Sequence, residues 1–392
     1  MPTAVRRYQR EACEEATRET GFDDFGSDEH LDAFSKLAES ICTAVEQGVI
    51  NPEGAALARE KLVRCLVTRL RLVDYWKAHP ELEAEEIRQP IFIIGLPRTG
   101  TTVLHGLMHC DPELRSPLNW ETFYPVPPST PETYHSDPRI ELRAAESEEF
   151  SQSIPGMQGI HKLSATMPDE CVMLFDAALA SIHLPVFFDL PDYQLWYEGC
   201  DKGHSYRVHR QSLQILQSTH PRKRWLLKSP QHLFSIEALF REYPDARVIQ
   251  THRHPFTVLA SMSSLAYMIQ STVLKTSRQE VGQQQSAVWQ RGVDHTLRFR
   301  RKHPEFEQQI FDVEFGQFMT DELGMVQRIY EYFDMEPSAE AHARMREYMT
   351  QHPRGKDGGH SYSAADFGID EADIERRFAD YIGKFVPPSS AG

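Results

Sequence analysis

The chain of 392 residues contains few cysteines and no cysteine pattern. Its six cysteines are scattered and none forms a CxxC pair, which excludes a disulfide framework of the secreted type. Long apolar runs are also missing, and the N-terminal stretch lacks the apolar character of a signal peptide. These absences predict a cytoplasmic protein without a membrane-spanning segment.

Positive charge is in short supply as well. Lys and Arg number 42 against 57 Asp and Glu, which gives a formal net charge of −15. Generic nucleic-acid binders carry a basic surface, so this class is excluded. The imbalance is uneven, because residues 1–60 hold 6 basic and 13 acidic side chains, whereas 222–254 hold 7 basic and 3 acidic ones. A locally basic cleft can therefore bind an anionic ligand within an acidic protein.

Residues 1–90 are predicted to form a helical N-terminal segment. Apolar residues recur at steps of three and four across 31–45, and Asn51-Pro52 opens a second stretch of this kind. We interpret the segment as a helical cap that is suited to subunit contacts. A homodimer is the assembly that we expect.

Beyond residue 90, strand patterns alternate with helical patterns. The run IFII at 91–94 is typical of a buried parallel strand, and further strands are predicted at 225–227, 247–251 and 310–315. This order predicts an α/β domain over 91–392 with a central parallel sheet. The stretch 111–160 is rich in Pro, Ser and acidic residues and is predicted to form long loops and short helices.

The strongest local signal is GLPRTGTT at 95–102, between the first predicted strand and a helix. Its G-x₄-G spacing is that of a phosphate-binding loop, in which backbone amides and a helix N-terminus bind anionic oxygens. Thr101 stands where a Walker lysine is expected, and Arg98 brings a positive charge into the loop instead. An ordinary tight turn between strand and helix is the alternative.

Two later segments can bring polar groups to the same edge of the sheet. Lys228 ends a strand pattern in WLLKSPQH, and Arg253 follows another in RVIQTHRHPF. Ser261 lies eight residues after Arg253, about two helical turns further on. Ligands of open α/β folds bind at the carboxyl edge of the sheet, where an arginine and a hydroxyl can hold one phosphate group. A solvated lysine and a surface salt bridge are the alternatives.

In this order, GLPRTGTT after a strand, LLKSP, and R-x-P followed by a serine resemble the sulfotransferases that use 3′-phosphoadenosine 5′-phosphosulfate (PAPS). The resemblance is closest to bacterial, mycobacterial-type members and covers about 90–370. It implies a P-loop-like three-layer α/β fold with a central parallel sheet, PAPS as cofactor and the 3′,5′-bisphosphate PAP as product. It further implies sulfuryl transfer to a hydroxyl, or alternatively an amine, of a small-molecule, lipid or carbohydrate acceptor. An acceptor-binding insert is then expected at about 112–206.

The resemblance also implies roles for individual residues. The residues expected to bind the cofactor are Pro97, Arg98, Thr99, Gly100, Thr101, Thr102, Arg253, Ser261, Arg354, Gly355 and Lys356. The residues expected to act in catalysis are Glu121 as the base for the acceptor proton, with Lys228 and Arg98 stabilising charge. Alternatives for the base are Glu170, His105, His161 and His232.

Other interpretations stay open. His105 and His109 lie four apart on a predicted helix, but no third ligand is apparent and no metal site is expected. A P-loop kinase of a small metabolite is opposed by the missing Walker lysine. A non-catalytic nucleotide-binding protein of the same fold is favoured by the large helical N-terminal segment. The aromatic residues of the insert either line an acceptor pocket or belong to the core.

Overall fold

A five-stranded parallel sheet forms the centre of the protein. The computed structural model describes residues 2–154, 164–221, 223–352 and 363–386. The strands run in the spatial order β2-β3-β1-β4-β5, and every neighbouring pair is parallel. Their bounds are β1 Ile91–Gly95, β2 Leu114–Arg115, β3 Arg224–Lys228, β4 Arg247–His252 and β5 Ile310–Glu314. The four predicted strands are confirmed, and β2 was not predicted because two residues carry no periodic signal.

Helices surround the sheet. Before and within the insert they are α1 Thr3–Thr20, α2 Leu31–Glu46, α3 Pro52–Ala78, α4 Thr101–His109, α5 Asn119–Phe123, α6 Pro138–Ser153, α7 His183–Phe188, α8 Pro191–Gly199 and α9 Gly203–Ser218. Later ones are α10 Ile236–Glu242, α11 Pro255–Gln270, α12 Arg278–Lys302, α13 Phe315–Thr320, α14 Glu322–Tyr332, α15 Ala339–Gln351, α16 Glu371–Arg377 and α17 Ala379–Phe385. The 3₁₀ helices are Asp28–His30, Pro80–Ala84, Cys171–Ala178, Pro230–Phe234, Pro304–Gln309 and Ala364–Phe367. Of the described helices, none is long and apolar enough to cross a membrane.

Alternate side chains of β1 enter two different cores. Ile91 and Ile93 pack with residues of α4, α14 and α15 on one face of the sheet, and Phe92 and Ile94 pack with residues of α9 and α12 on the other. A strand sends successive side chains to opposite faces, so a continuous apolar run can bury both. The predicted three-layer α/β fold with a central parallel sheet is therefore confirmed.

The N-terminal helices belong to the same core as the sheet. Leu62 and Leu66 of α3 are fully buried in the cluster that also contains Phe92 of β1. The helical prediction for this segment is confirmed, but two residues of the predicted apolar stripe are exposed, Leu31 at 45% and Val45 at 38%. Both lie at the ends of α2.

The insert and α12 depart from the sequence prediction. Within 111–160, α6 is a helix of 16 residues rather than a short one. Helix α12 has 25 residues and was not predicted, because many of its buried positions hold polar or small residues such as Gly282, Gln285 and Thr296. Most of the aromatic residues in the insert are core, and the fully buried ones include Trp120, Phe175, Phe188, Tyr193 and Tyr197.

Candidate active site

The loop between β1 and α4 has the backbone of an anion-binding turn. Gly95 has a φ of 143°, Arg98 of 64° and Gly100 of 86°. A β-carbon on Gly95 would lie 2.3 Å from the Thr251 hydroxyl of β4, so glycine is required where the loop leaves the sheet. Arg98 adopts the left-handed conformation without being glycine, which is a strained state typical of functional sites.

Side chains of this loop divide into internal and outward-facing groups. Thr99 is fully buried, and its hydroxyl donates to the Leu96 carbonyl and lies 2.6 Å from the Thr251 hydroxyl. It therefore braces the loop, rather than presenting its side chain to a ligand. Pro97 is half-buried, and Thr101 and Thr102 begin α4, whose N-terminal amides have no partner within the helix.

The predicted segment that contains Arg253 and Ser261 contacts the phosphate-binding loop at the end of β4, the strand next to β1. The Arg98 Nε donates to the Ser261 hydroxyl at 3.2 Å, and Arg253 donates from Nη1 to the Arg98 carbonyl at 3.0 Å. The Arg253 guanidinium also lies 4.1 Å from the centre of the Phe315 ring. The two guanidinium groups and a hydroxyl thus converge beside the phosphate-binding loop, a donor set that suits anionic oxygens.

The residue before Arg253 belongs to a hydrogen-bonded network that joins β4, β5 and α12. This residue, His252, contacts Asp312 of β5 at 2.8 Å, and Arg300 of α12 donates to the same carboxylate. Burial alone would raise the pKa of Asp312, but the hydrogen bonds from His252 and Arg300 lower it to about 2. The Phe385 ring stacks on His252 at 4.0 Å. Sequence analysis missed this network, since its members are far apart in the chain.

Lys228 ends β3 on the other side of β1. Its side chain is 6% exposed, and its ammonium donates to Glu170 Oε1 at 2.8 Å. The carboxyl ends of parallel strands meet at one edge of a sheet, and Ile93 of β1 pairs with Lys228. Glu170 is 32% exposed, so this ion pair borders solvent beside the loop.

Glu121 lies in a different environment. It is fully buried, its Oε1 accepts from Arg115 at 2.8 Å, and its Oε2 accepts from the Leu118 amide at 2.9 Å. Tyr134 donates to Oε2 as well. These contacts are those of a capping and ion-pairing carboxylate, and no hydrogen bond or ion pair joins it to Lys228 or Arg98 in the described part of the chain.

The histidine alternatives for the base are deeply buried. His105 contacts the Ser116 hydroxyl and the Leu226 carbonyl, and His232 contacts the Tyr206 hydroxyl at 2.7 Å. Burial lowers the pKa of both far below the usual value. His161, Arg354, Gly355 and Lys356 lie outside the described residues. In the described ranges, no three His, Cys, Asp or Glu side chains are grouped to hold a metal ion.

The profile of the sulfotransferase family matches residues 90–339. The chain belongs to the sulfotransferase family. It is similar to the crystal structure of sulfotransferase STF1 from Mycobacterium tuberculosis H37Rv, with 33% identity, 95% of this chain and 98% of that chain covered, and a TM-score of 0.84. It is also similar to sulfotransferase STF9 from Mycobacterium avium, with 28% identity, 96% of each chain covered and a TM-score of 0.87. No curated protein matches the chain.

The match to the mycobacterial sulfotransferases extends beyond the stretch that the sequence motifs covered. The resemblance seen in the sequence covered about 90–370, whereas the two solved structures match 95% and 96% of this chain. The N-terminal helices are therefore part of an architecture that this chain shares with them. The protein is a sulfotransferase enzyme, and the kinase and non-catalytic alternatives are excluded.

Proposed function

We propose that this sulfotransferase moves the sulfuryl group of PAPS to a hydroxyl of a small-molecule acceptor at the carboxyl edge of the sheet. The supporting observation is the contact of Arg98 with Ser261 and of Arg253 with the Arg98 backbone. These contacts join the phosphate-binding loop to the two residues that the family resemblance assigns to the 3′-phosphate. When bound, PAPS supplies an activated sulfuryl group on a phosphate leaving group.

The residues of the site divide the work between binding and charge stabilisation. The loop amides and Arg98 hold the 5′ end of the cofactor, and Arg253 and Ser261 hold the 3′-phosphate. Lys228 stabilises the negative charge that develops on the transferred group and on its leaving oxygen. Such transfer needs little covalent chemistry from the protein, because positioning and charge stabilisation dominate. Removal of one such donor should lower the rate by about 10²–10³-fold.

We place the general base at Glu170 rather than at Glu121. Glu170 is partly accessible and lies beside Lys228 at the carboxyl edge of the sheet, where its carboxylate can take the acceptor proton. The Glu121 oxygens are already bound to Arg115 and to the Leu118 amide in a fully buried place. Since Glu121 has no exposed surface, an acceptor hydroxyl has no access to these oxygens in this arrangement.

Thermal unfolding with added nucleotides tests the cofactor assignment. PAP should stabilise the protein by about 2.7 kcal/mol at a concentration of 100 times its Kd, and ADP with magnesium should stabilise it far less at the same concentration. Arg253→Met should remove most of the preference of the protein for PAP over 5′-AMP, whereas Arg18→Met, at an exposed position of α1, should leave it intact. Equal stabilisation by PAP and by ADP with magnesium would contradict the proposal.

The homodimer, the cytoplasmic location and transfer to an amine as the alternative acceptor group stay predictions from the sequence.

A further inference from the structure

The 3₁₀ helix Cys171–Ala178 presents one open row of side chains. Glu170, Met173 and Asp176 are partly accessible, whereas the residues between them are buried. A 3₁₀ helix has three residues per turn, so side chains at i and i+3 align. The row begins at Glu170, which contacts Lys228, and a rise of about 2.0 Å per residue puts Asp176 about 12 Å further along the helix axis.

Two charged groups lie at the far end of this row, Asp176 and Lys61. Asp176 binds His183 through Oδ2 at 2.7 Å, but its Oδ1 is buried with no hydrogen-bond partner in the described part of the chain. Lys61 of α3 lies over the Phe187 ring, with its ammonium 4.0 Å from the ring centre. No hydrogen bond or ion pair to this ammonium is found among the described residues, although the Asp176 charge acts on it.

Leaving the Asp176 Oδ1 atom without a partner is costly. A buried carboxylate oxygen without a donor loses its hydration and gains nothing in return. Burial and the neighbouring Arg64 guanidinium lower the pKa of Lys61 to about 8. Among the described residues, the Asp176 oxygen has no donor and the Lys61 ammonium has no hydrogen-bond acceptor, so a ligand group that both donates and accepts would suit the two together.

A small cavity connects this end to the middle of the row. Its walls come from α3, from α5 and from the 3₁₀ helix, and the lining residues are Arg64, Cys65, Thr68, Thr122, Phe123, Met173 and Asp176. Phe123 and Met173 contribute apolar walls to it. Methionine is the most adaptable apolar side chain, so Met173 can move to admit a longer ligand.

We propose that the row from Glu170 to Asp176 is the acceptor groove, with Asp176 and Lys61 as its distal subsite. The acceptor class is an elongated molecule with an apolar middle and a second hydroxyl about 12 Å from the hydroxyl that is sulfated. A hydroxyl can donate to Asp176 and accept from Lys61 together, whereas a carboxylate or an ammonium would be repelled by one of them. This inference rests on the proposed function, because it takes Glu170 as the reacting end.

Thermal unfolding of the full chain at saturating PAP tests the groove independently of turnover. The probes are nonanediol with two terminal hydroxyls, nonanol, butanediol and butanol. Nonanediol should bind about tenfold more tightly than nonanol, because it gains hydrogen bonds to charged groups, and the two short alcohols should not differ beyond the twofold statistical factor. Asp176→Asn and Lys61→Met should each remove the preference for nonanediol. Asp192→Asn, at an exposed position of α8, and Lys36→Met, whose side chain in α2 is 45% exposed, should retain it.

Each other outcome counts against a specific statement. Equal binding of nonanediol and nonanol by the wild type, or no binding of either, would overturn the distal subsite while PAP binding keeps the proposed function intact. Equal weakening of both long alcohols in the two variants would show a structural role and would also overturn it. If Asp176→Asn does not fold, Lys61→Met decides alone. Failure of the wild type to bind PAP would instead overturn the proposed function and this inference with it.

Discussion

Replacing Glu170 and Glu121 one at a time should separate a loss of turnover from a loss of stability. Glu170→Gln removes a partly exposed carboxylate beside Lys228 and leaves the buried core untouched. Without its base, turnover should fall by about 10²–10⁴-fold. The affinity for PAP should hold or rise, because a negative charge leaves the neighbourhood of the Lys228 ammonium.

The opposite result is expected for Glu121→Gln. Glu121 is completely buried and Arg115 is 10% exposed, so the substitution leaves a buried guanidinium without its counter-charge. Breaking a buried pair from one side costs about 3 kcal/mol. At about 2.1 cal/mol/K of unfolding entropy per residue, this loss should lower the Tm of a chain of this length by about 4 °C. Turnover per folded molecule should remain close to that of the wild type.

The assay combines two measurements on the same preparations. Initial rates are measured with labelled PAPS and an acceptor found by screening cell extract, and unfolding is followed by calorimetry. Glu375→Gln, at an exposed position of α16, is the matched control and should change neither quantity. The reasoning fails if Glu170→Gln retains most of its turnover. A Glu121→Gln variant that is as stable as the wild type but inactive would return the base to Glu121.

Two further predictions concern the support of the cofactor site. Gly95→Ala should destabilise the protein by about 2 kcal/mol or more, because the new β-carbon meets the Thr251 hydroxyl at 2.3 Å, whereas Gly199→Ala meets nothing within 4 Å and should be neutral or stabilising in urea unfolding. Asp312 has a pKa of about 2 against the usual 3.8, which after allowance for its 35% exposure contributes roughly 1 kcal/mol. This stability is present above the unfolded pKa near 3.8 and is lost as the pH falls through about 2, so the deficit of Asp312→Asn should shrink between these pH values in acid titrations of stability.

Short-range patterns predicted most of the strands and the cofactor loop. Apolar runs for β1 and β4 and the glycines of GLPRTGTT are local signals, since each depends on residues within a few positions. Helix α12 escaped prediction because its buried face includes Gly282, Gln285 and Thr296, which carry no apolar periodicity. Burial of such residues depends on neighbours that are distant in the chain, such as Phe234, which a β-carbon on Gly292 would meet at 2.9 Å.

By itself, the sequence determined that an anion-binding loop, a lysine and an arginine each stand at the end of a parallel strand. The carboxyl ends of parallel strands lie along one edge of the sheet, so such residues come together there independently of the conformation of the loops. Only the tertiary structure decided which carboxylate faces Lys228. Glu121 and Glu170 both lie in polar stretches of the insert, and the difference is that Arg115 binds one and Lys228 the other. Pairing of charges across distant segments depends on the packed fold, because burial sets both the cost and the partner of each carboxylate.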